Sequence, residues 1–368
     1  MQQPLYPKLI LDALANVRYP GTGKNIVESE MVEDDIRIEG RKVSFSLIFP
    51  RATDPFIKSL VKAAEAAILT YVAPDVEIKG NIGVKFRHEE PEPEKPLKNV
   101  KNIIGISSGK GGVGKSTVAA NLAVALAREG YKVGLLDADI FGPSVPKMFG
   151  VEGAELYIHE VNGKNLIIPE EKYGVKLLSI GFFVNADSAQ VWRGGMASRA
   201  LTQLITEGDW GELDYFLIDM PPGTSDIHLT LVQTLGITGA VVVSTPQQVA
   251  LADARRGIAM FRDERINVPI LGLVENMAWF TPELHPEEKY YIFGKEGAVK
   301  LAEENGVRVL GQIPVVMKIC EGGDNGQPVA LGDTVSAQAF MHLAHELIDA
   351  VESRNSEMPP TKVVTVKH

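Results

Sequence analysis

The segment GKGGVGKST, residues 109 to 117, constrains the fold of this chain more than any other feature. It follows a short apolar run at 103 to 107 and precedes a stretch of helical character at 116 to 129. Glycines at this spacing let backbone N–H groups turn inward around phosphate oxygens, and the start of a helix adds its dipole. A glycine-rich turn without a ligand is the alternative, but the strand-loop-helix context favours a phosphate-binding loop.

The side chains of this loop suit magnesium-nucleotide chemistry. Lys115 is predicted to neutralise charge on the β- and γ-phosphates, and Ser116 is predicted to ligate Mg²⁺. The residues predicted to bind ATP in this loop are Gly109, Lys110, Gly111, Gly112, Val113, Gly114, Lys115, Ser116 and Thr117.

Three aspartates follow two other apolar runs. Asp219 ends the run YFLID, where a carboxylate of the Walker B type holds Mg²⁺ directly or through water, and Gly223 after it can respond to a γ-phosphate. Asp137 ends the run VGLLD and Asp139 follows two residues later, so all three carboxylates are expected at one edge of the sheet. We predict that Asp139 positions the attacking water and that Asp137 belongs to the metal network; simple strand caps are the alternative.

The larger part of the chain alternates short apolar runs with helical stretches, which is typical of a parallel sheet buried on both faces. We therefore predict a doubly wound, mostly parallel α/β domain of the P-loop NTPase class. The apolar runs are residues 103–107, 133–137, 175–180, 215–220, 240–244, 270–274 and 307–311. Asn162-Gly163, between two apolar stretches at 155–169, predicts a β-hairpin outside the parallel core.

A small α+β domain is predicted before it. Residues 5–17 are expected to be helical, 25–39 and 41–50 to form strands, a helix to follow from Asp54, and 76–86 to form a last strand. The segment HEEPEPEKPLK is typical of a linker, because prolines alternate with charges there. The predicted divisions are a domain at 1–87, a linker at 88–98, an ATPase domain at 99–353 and a flexible tail at 354–368.

Charge and cysteine content limit the possible partners. The 37 Lys and Arg residues against 47 Asp and Glu residues give a net charge of -10, which disfavours nucleic-acid and anionic-membrane binding. The chain has one cysteine, Cys320, which alone builds neither an intramolecular disulfide nor a four-thiolate site. With no long apolar run and no signal-peptide pattern at the start, a cytoplasmic location is expected.

The loop with its extra lysine, Lys110, resembles the deviant Walker A motif of the ParA/MinD/Mrp group of P-loop ATPases. Further segments make the chain similar to the Mrp/ApbC iron-sulfur cluster carriers from residue 99 to about 350. They are DADIFGPSVPKMFG (137–150), VWRGGM (191–196), DMPPGTSD (219–226), TPQQVALADARRG (245–257), ENM (275–277), IFG (292–294) and EGGDNGQP (321–328). The first domain resembles the SufT-related iron-sulfur assembly domain that is often fused ahead of Mrp.

This resemblance implies a nucleotide-gated homodimer that hydrolyses ATP slowly and delivers iron-sulfur clusters to apo-proteins, with cluster scaffold proteins as further partners. It implies that Lys110 reaches the ATP of the partner subunit, and that Asn276 and the segment around Pro314 lie near the adenine. An Asn side chain can pair with a base edge because it carries both donor and acceptor groups. Asn276 as the cap of a turn is the alternative.

The chain departs from the carrier pattern in its thiols. The Cys-x-x-Cys pair that these carriers usually have after ENM is missing, and so is the cysteine that the N-terminal domain often has near 49–56. Cys320 is interpreted either as a buried or semi-buried reduced thiol or as a labile cluster ligand. His285 is the only soft donor near the missing pair and is expected to be a solvent-exposed side chain.

Three alternatives to a carrier stay open: an ATP-driven adaptor or regulator that binds no cluster, a ParA/MinD-like positioning ATPase, and a tyrosine kinase of the same fold. The missing cysteines favour the first of these. Arg255 and Arg256 are interpreted as a solvated or dimer-facing helical charge pair, because no wider basic stripe accompanies them. The tail MPPTKVVTVKH lacks a membrane-anchoring amphipathic helix, and the tyrosine-rich tail of the kinases is missing.

Overall fold

The computed structural model describes residues 5–20, 22–50, 53–86, 96–140, 142–161, 163–183, 194–282, 285, 287–361 and 363. The chain forms two compact units that divide between residues 93 and 94. Most of the predicted linker lies outside the described residues, as do Asn162 of the hairpin signal and the first part of VWRGGM.

The smaller unit has the predicted α-β-β-α-β order. Its elements are α1 Pro7–Leu14, β1 Arg37–Glu39, β2 Lys42–Phe49, α2 Ile57–Tyr71 and β3 Ile82–Phe86. The three strands form a sheet in the order β1-β2-β3, with β1 antiparallel and β3 parallel to β2. Alternate residues of β2 are buried against the helices, as its sequence period predicts.

The predicted first strand of this unit, 25–39, was mostly wrong. Only Arg37–Glu39 is a strand, because the Asn25 side chain accepts hydrogen bonds from Val27 N and Glu28 N and thereby forms a turn. The last strand is also shorter than predicted. On α2, Leu60, Ala64 and Ile68 are buried, whereas Tyr71 at the end of the helix is 60% exposed.

The larger unit is built on one eight-stranded sheet, and each of the seven predicted apolar runs overlaps one of its strands. In chain order these strands are β4 Val100–Ser108, β5 Val133–Asp137, β8 Glu170–Lys172, β9 Val175–Ser179, β10 Leu213–Asp219, β11 Gly239–Ser244, β12 Ile270–Phe280 and β13 Val309–Val315. The order across the sheet is β13-β12-β11-β4-β10-β5-β9-β8. All pairings are parallel except that of β8 with β9. The predicted hairpin is present as β6 Ile158–Val161 and β7 Lys164–Ile167.

Helices cover both faces of this sheet. They are α3 Lys115–Arg128, α4 Val145–Phe149, α5 Gly194–Glu207, α6 Asp226–Thr234, α7 Gln248–Arg262, α8 Gly297–Asn305, α9 Met317–Asp324 and α10 Val335–Glu357. One hydrophobic cluster joins the sheet to α3 and α10, and a second joins its other face to α5, α6, α7 and α8. The predicted doubly wound fold is thereby confirmed.

The C-terminal helix continues further than the predicted domain bound at 353. Helix α10 ends at Glu357, and the buried Arg354 donates hydrogen bonds to Pro359 O at 2.8 Å and Thr361 Oγ1 at 2.7 Å. Residues 359–361, assigned to a flexible tail by the sequence, are therefore attached to the helix. None of the helices among the described residues combines the length and apolar composition that crossing a membrane requires.

Candidate functional site

The loop of residues 109–117, called the P-loop below, connects the end of β4 to the start of α3. Gly112 and Gly114 both have φ of +81°, a left-handed conformation that strongly favours glycine. Gly109 is required for a different reason, because a Cβ atom there would lie 2.1 Å from the backbone of Asp253 in α7. Backbone sterics therefore require glycine at 109, 112 and 114, whereas a Cβ atom at Gly111 would meet only Pro222 Cγ, 4.0 Å away.

Lys115 lies buried at the base of the P-loop, between two carboxylates. Its Nζ is 2.5 Å from Asp219 Oδ1, 3.5 Å from Asp139 Oδ2 and 3.3 Å from Ser116 Oγ. A buried ammonium group without partners would be strongly unfavourable, so the two aspartates stabilise its charge.

Asp219 ends β10 with its side chain fully buried. Its Oδ1 accepts the hydrogen bond from Lys115, whereas its Oδ2 has no hydrogen-bond partner among the described residues. Burial raises the pKa of this carboxyl, and the charge of Lys115 opposes that shift. An unsatisfied buried carboxylate oxygen beside a serine hydroxyl is the donor set that a divalent cation prefers.

Asp137 occupies a different environment, although it lies level with Asp219 on the neighbouring strand β5. Its Oδ1 accepts from Asp139 N, and its Oδ2 accepts from Ser179 Oγ at 2.9 Å and from Val145 N at 3.3 Å. Burial, with the charge of Asp219 adding to it, raises the pKa of Asp137 to about 8. The sequence did not indicate Ser179, because no local pattern marks a partner 42 residues away.

The cavity over the P-loop measures about 250 Å³. Besides P-loop residues it is lined by Ser108, Asp139, Gly142, Ser144, Met148 and Pro222. Pro222 belongs to the segment after Asp219, and in that segment Gly223 N donates to Ser108 O at 2.9 Å. Gly223, which the sequence predicted to respond to a γ-phosphate, is therefore hydrogen-bonded to Ser108, the residue that precedes the P-loop.

His228 on α6 contacts Ser225 at the end of the segment that follows Asp219. His228 was not identified from the sequence. Its Nδ1 accepts from Ser225 N at 3.2 Å, in a capping box whose signal is the Ser-x-x-His spacing at a helix start. The ring is 1% exposed, and burial lowers its pKa to about 4. His228 is therefore neutral at physiological pH and acts as an acceptor at Nδ1.

Asn276 and Pro314 lie in the neighbouring strands β12 and β13, and both are buried. Asn276 Nδ2 donates to Val113 O of the P-loop at 2.8 Å. Pro314 lines a second cavity of about 290 Å³, together with apolar side chains that include Trp279, Met317 and Val335. The structure thus places Asn276 against the P-loop, and its expected place near an adenine stays a prediction.

Cys320 is exposed on α9, so its interpretation as a buried or semi-buried thiol was wrong. Its Sγ lies 3.7 Å from Asp324 Oδ2, one turn further along the same helix. His285 is exposed as expected and lies near Glu287 and Glu288, with possible ligand atoms within 4.8 Å of one another. Among the described residues this group of ligand-type side chains does not include Cys320.

Arg255 and Arg256 on α7 form ion pairs at the protein surface. Arg255 pairs with Glu304 at 2.5 Å, and Arg256 pairs with Asp253 at 3.0 Å. Both cations therefore have acidic neighbours, which agrees with their interpretation as a helical charge pair rather than a nucleic-acid patch.

The pKa of His228 predicts how the stability of the larger unit depends on pH. The unfolded chain binds this proton near the ordinary pKa of 6.5 and the folded chain only near 4, so stability is lost as pH falls through that window. When the pH is lowered from 6.5 to 4.5, the free energy of unfolding should fall by about 2 kcal/mol less in His228→Gln than in the wild type. The reason is that glutamine keeps the capping acceptor but does not titrate.

Urea unfolding followed by tryptophan fluorescence measures this, because all three tryptophans belong to the sequence of the larger unit. His345→Gln is the control, since His345 is exposed and pairs with Glu129. Equal pH dependence in the wild type and in His228→Gln would contradict the assignment.

Comparisons with known proteins agree with this geometry. Residues 99–348 match the family described as NUBPL iron-transfer P-loop NTPase, and residues 8–79 match the family described as iron-sulfur cluster assembly protein. An iron-sulfur cluster carrier protein from Synechocystis sp. is 41% identical over 349 residues, which cover 93% of this chain and 97% of the relative. Another from Aquifex aeolicus is 49% identical over 263 residues, 71% of each chain.

Among solved structures, a nucleotide-binding protein from Archaeoglobus fulgidus, determined in complex with ADP, matches with a TM-score of 0.56 and 36% identity. The match covers 65% of this chain and 91% of that chain. The family resemblance inferred from the motifs is thereby confirmed: the chain belongs to the NUBPL-type iron-transfer P-loop NTPases and carries an N-terminal iron-sulfur cluster assembly domain.

Proposed function

We propose that this protein binds and slowly hydrolyses Mg-ATP as a homodimer and uses its nucleotide state to deliver iron-sulfur clusters to apo-proteins. The observation that carries the nucleotide part is the buried Lys115 at the base of the P-loop, paired with Asp219 and Asp139. The delivery part is supported by family membership and by relatives that are named iron-sulfur cluster carrier proteins.

The pairing of Lys115 suggests how the site responds to a triphosphate. Phosphate oxygens in the P-loop would attract Lys115 away from Asp219 and free its Oδ1, so that both oxygens of that carboxylate would be available. Ser116 and Asp219 are the residues that would hold Mg²⁺, which supplies charge neutralisation on the phosphates when bound. Asp219 suits this role because its Oδ2 has no hydrogen-bond partner among the described residues.

We assign different roles to the two aspartates of the segment 137–139. Asp139 lines the cavity and would position the attacking water. Asp137 accepts three hydrogen bonds from Asp139, Val145 and Ser179, and it would support the metal network by fixing the backbone that carries Asp139.

Lys110 would act across the dimer. Its backbone is fixed by Ser108 Oγ, which donates to Lys110 O at 2.9 Å, and its side chain is partly exposed beside the cavity. A cation held at this place can reach a phosphate of the partner subunit's nucleotide, which would couple ATP occupancy to dimer geometry.

The proposed cargo is an iron-sulfur cluster. A four-coordinate cluster shared by two subunits would take the two copies of Cys320 and two further ligands. The exposure of Cys320 makes its thiol accessible to such a cluster, whereas the nearby carboxylates are hard ligands and poor substitutes for thiolate.

The second candidate function is an ATP-driven adaptor or regulator of cluster assembly that binds no cluster. One observation favours it: the chain has a single cysteine. Both candidates share the nucleotide site, the partners that we propose, which are apo iron-sulfur proteins and cluster scaffold proteins, and the expected cytoplasmic location.

Lys115→Ala should lower ATP hydrolysis by about 100-fold or more, because the buried cation that offsets phosphate charge is lost. Steady-state hydrolysis and calorimetric ATP binding measure the effect. Lys101→Ala is the control, since Lys101 is an exposed lysine paired with Asp214 near the opposite end of β4. ATP affinity and turnover like those of the wild type would refute the nucleotide assignment.

Lys110→Ala should lower kcat by about tenfold or more and change ATP binding much less, because the partner's Lys110 would act mainly in the transition state. Mixing Lys110→Ala with Lys115→Ala subunits should restore activity, since one site of each mixed dimer then has both lysines. Equal losses of binding and hydrolysis, or no rescue on mixing, would contradict a contact across the dimer.

Anaerobic reconstitution with iron and sulfide separates the two candidate functions. A carrier should show a visible chromophore and about one cluster per dimer, and Cys320→Ser should abolish both because it removes the only thiolate. Quantitation of iron and sulfide gives the stoichiometry. A wild type that binds no cluster would refute the carrier and leave the adaptor, and a cluster that persists in Cys320→Ser would exclude Cys320 as its ligand.

A further inference from the structure

Strand β12 changes course immediately after Asn276. Its pairing with β13 shifts register between Asn276 and Phe280, and Met277 has φ of +55°. A left-handed conformation is unfavourable for a methionine and persists only where the surrounding structure enforces it, often at functional sites. The backbone distortion directly after Asn276 therefore indicates that the surrounding structure fixes the direction of the Asn276 side chain.

The side chain of Asn276 is 7% exposed, and its Nδ2 donates to Val113 O of the P-loop at 2.8 Å. The approach is close: a Cβ atom on Gly114 would lie 2.2 Å from this Nδ2. Gly114 is therefore excluded from carrying a side chain both by its positive φ and by the amide of Asn276.

The residue before Asn276 anchors the strand on the other side. Glu275 is fully buried, its Oε2 accepts from Ala298 N in the first turn of α8 at 2.6 Å, and its Oε1 accepts from Gln312 Nε2 of β13 at 2.8 Å. A carboxylate at a helix N-terminus is a favourable interaction. The backbone that presents Asn276 is thus held by two neighbouring elements.

We infer that Asn276 is a positioning residue that holds the P-loop in its phosphate-binding conformation, so that it acts on a nucleotide through the loop rather than through the base. This inference rests on the proposed nucleotide function. Without the amide hydrogen of Asn276, the buried carbonyl of Val113 would lose its partner, and the loop would gain alternative conformations at the expense of the binding-competent one.

Ligands with and without a base test the inference. Calorimetry should compare ATP, GTP and inorganic tripolyphosphate, each with Mg²⁺, in the wild type, Asn276→Asp and Asn276→Ala. We expect both variants to bind all three ligands more weakly by the same factor, about tenfold. Asn305→Asp is the matched control, since Asn305 Nδ2 donates to Leu301 O at 2.8 Å at the end of α8.

Weaker ATP binding with unchanged tripolyphosphate binding would overturn the inference and assign Asn276 to the base. Unchanged binding of all three ligands would also overturn it. A wild type that binds none of them would instead refute the proposed nucleotide function.

Hydrogen exchange of the ligand-free protein gives a readout that needs no nucleotide. The backbone amides of residues 111–117 should exchange about tenfold faster in Asn276→Ala than in the wild type, whereas those of α10 should keep their wild-type rates. Unchanged exchange in the P-loop of a folded variant would overturn the inference even if nucleotide binding were altered.

Discussion

The buried contact of Lys115 with Asp219 and Asp139 is the interaction around which the larger unit is organised. Burying an ammonium group is costly unless anions lie within contact distance, so the P-loop, β10 and the segment after β5 must meet at one point. The sheet meets this requirement because β10 pairs between β4 and β5. Without a ligand, Lys115 is paired with its two aspartate partners, and a triphosphate would offer it more negative charge than Asp219 does.

Close packing and backbone conformation together explain why three positions of the P-loop require glycine. Gly109 faces the backbone of α7, Gly114 faces the amide of Asn276, and Gly112 has a left-handed backbone. The loop is therefore shaped from outside as well as by its own conformational preferences. Because α7 and β12 both contact the P-loop, a change in the conformation of the loop with nucleotide state would also shift these two elements, although they contact no phosphate.

The single cysteine of the chain shows that nucleotide binding and cluster binding would depend on different residues. Family membership follows from motifs spread over residues 99–348, and these motifs describe the NTPase machinery. Cluster binding would depend on a few soft ligands, and this chain has one cysteine, exposed on α9. The nucleotide machinery and the proposed cluster site would thus be formed by different residues, and one could be retained while the other changes.

The sequence by itself determined the elements whose signals are local. Seven apolar runs predicted strands of the parallel sheet because burial on both faces leaves a continuous apolar pattern. The glycine loop predicted its own conformation because positive φ is a property of single residues. Where a local signal was overridden, as at Asn25, a side-chain turn replaced the predicted strand.

Only the tertiary structure decided which distant residues meet. Lys115 and Asp219 are 104 positions apart, and Asn276 and Val113 are 163 apart, so no spacing in the sequence relates them. Their contacts follow from the order of β12, β11, β4, β10 and β5 in the sheet and from the register of each pairing. Apolar periodicity specifies which face of a strand is buried but not which strand lies beside it, which is why the carboxylates were predicted at one edge while their individual partners were not.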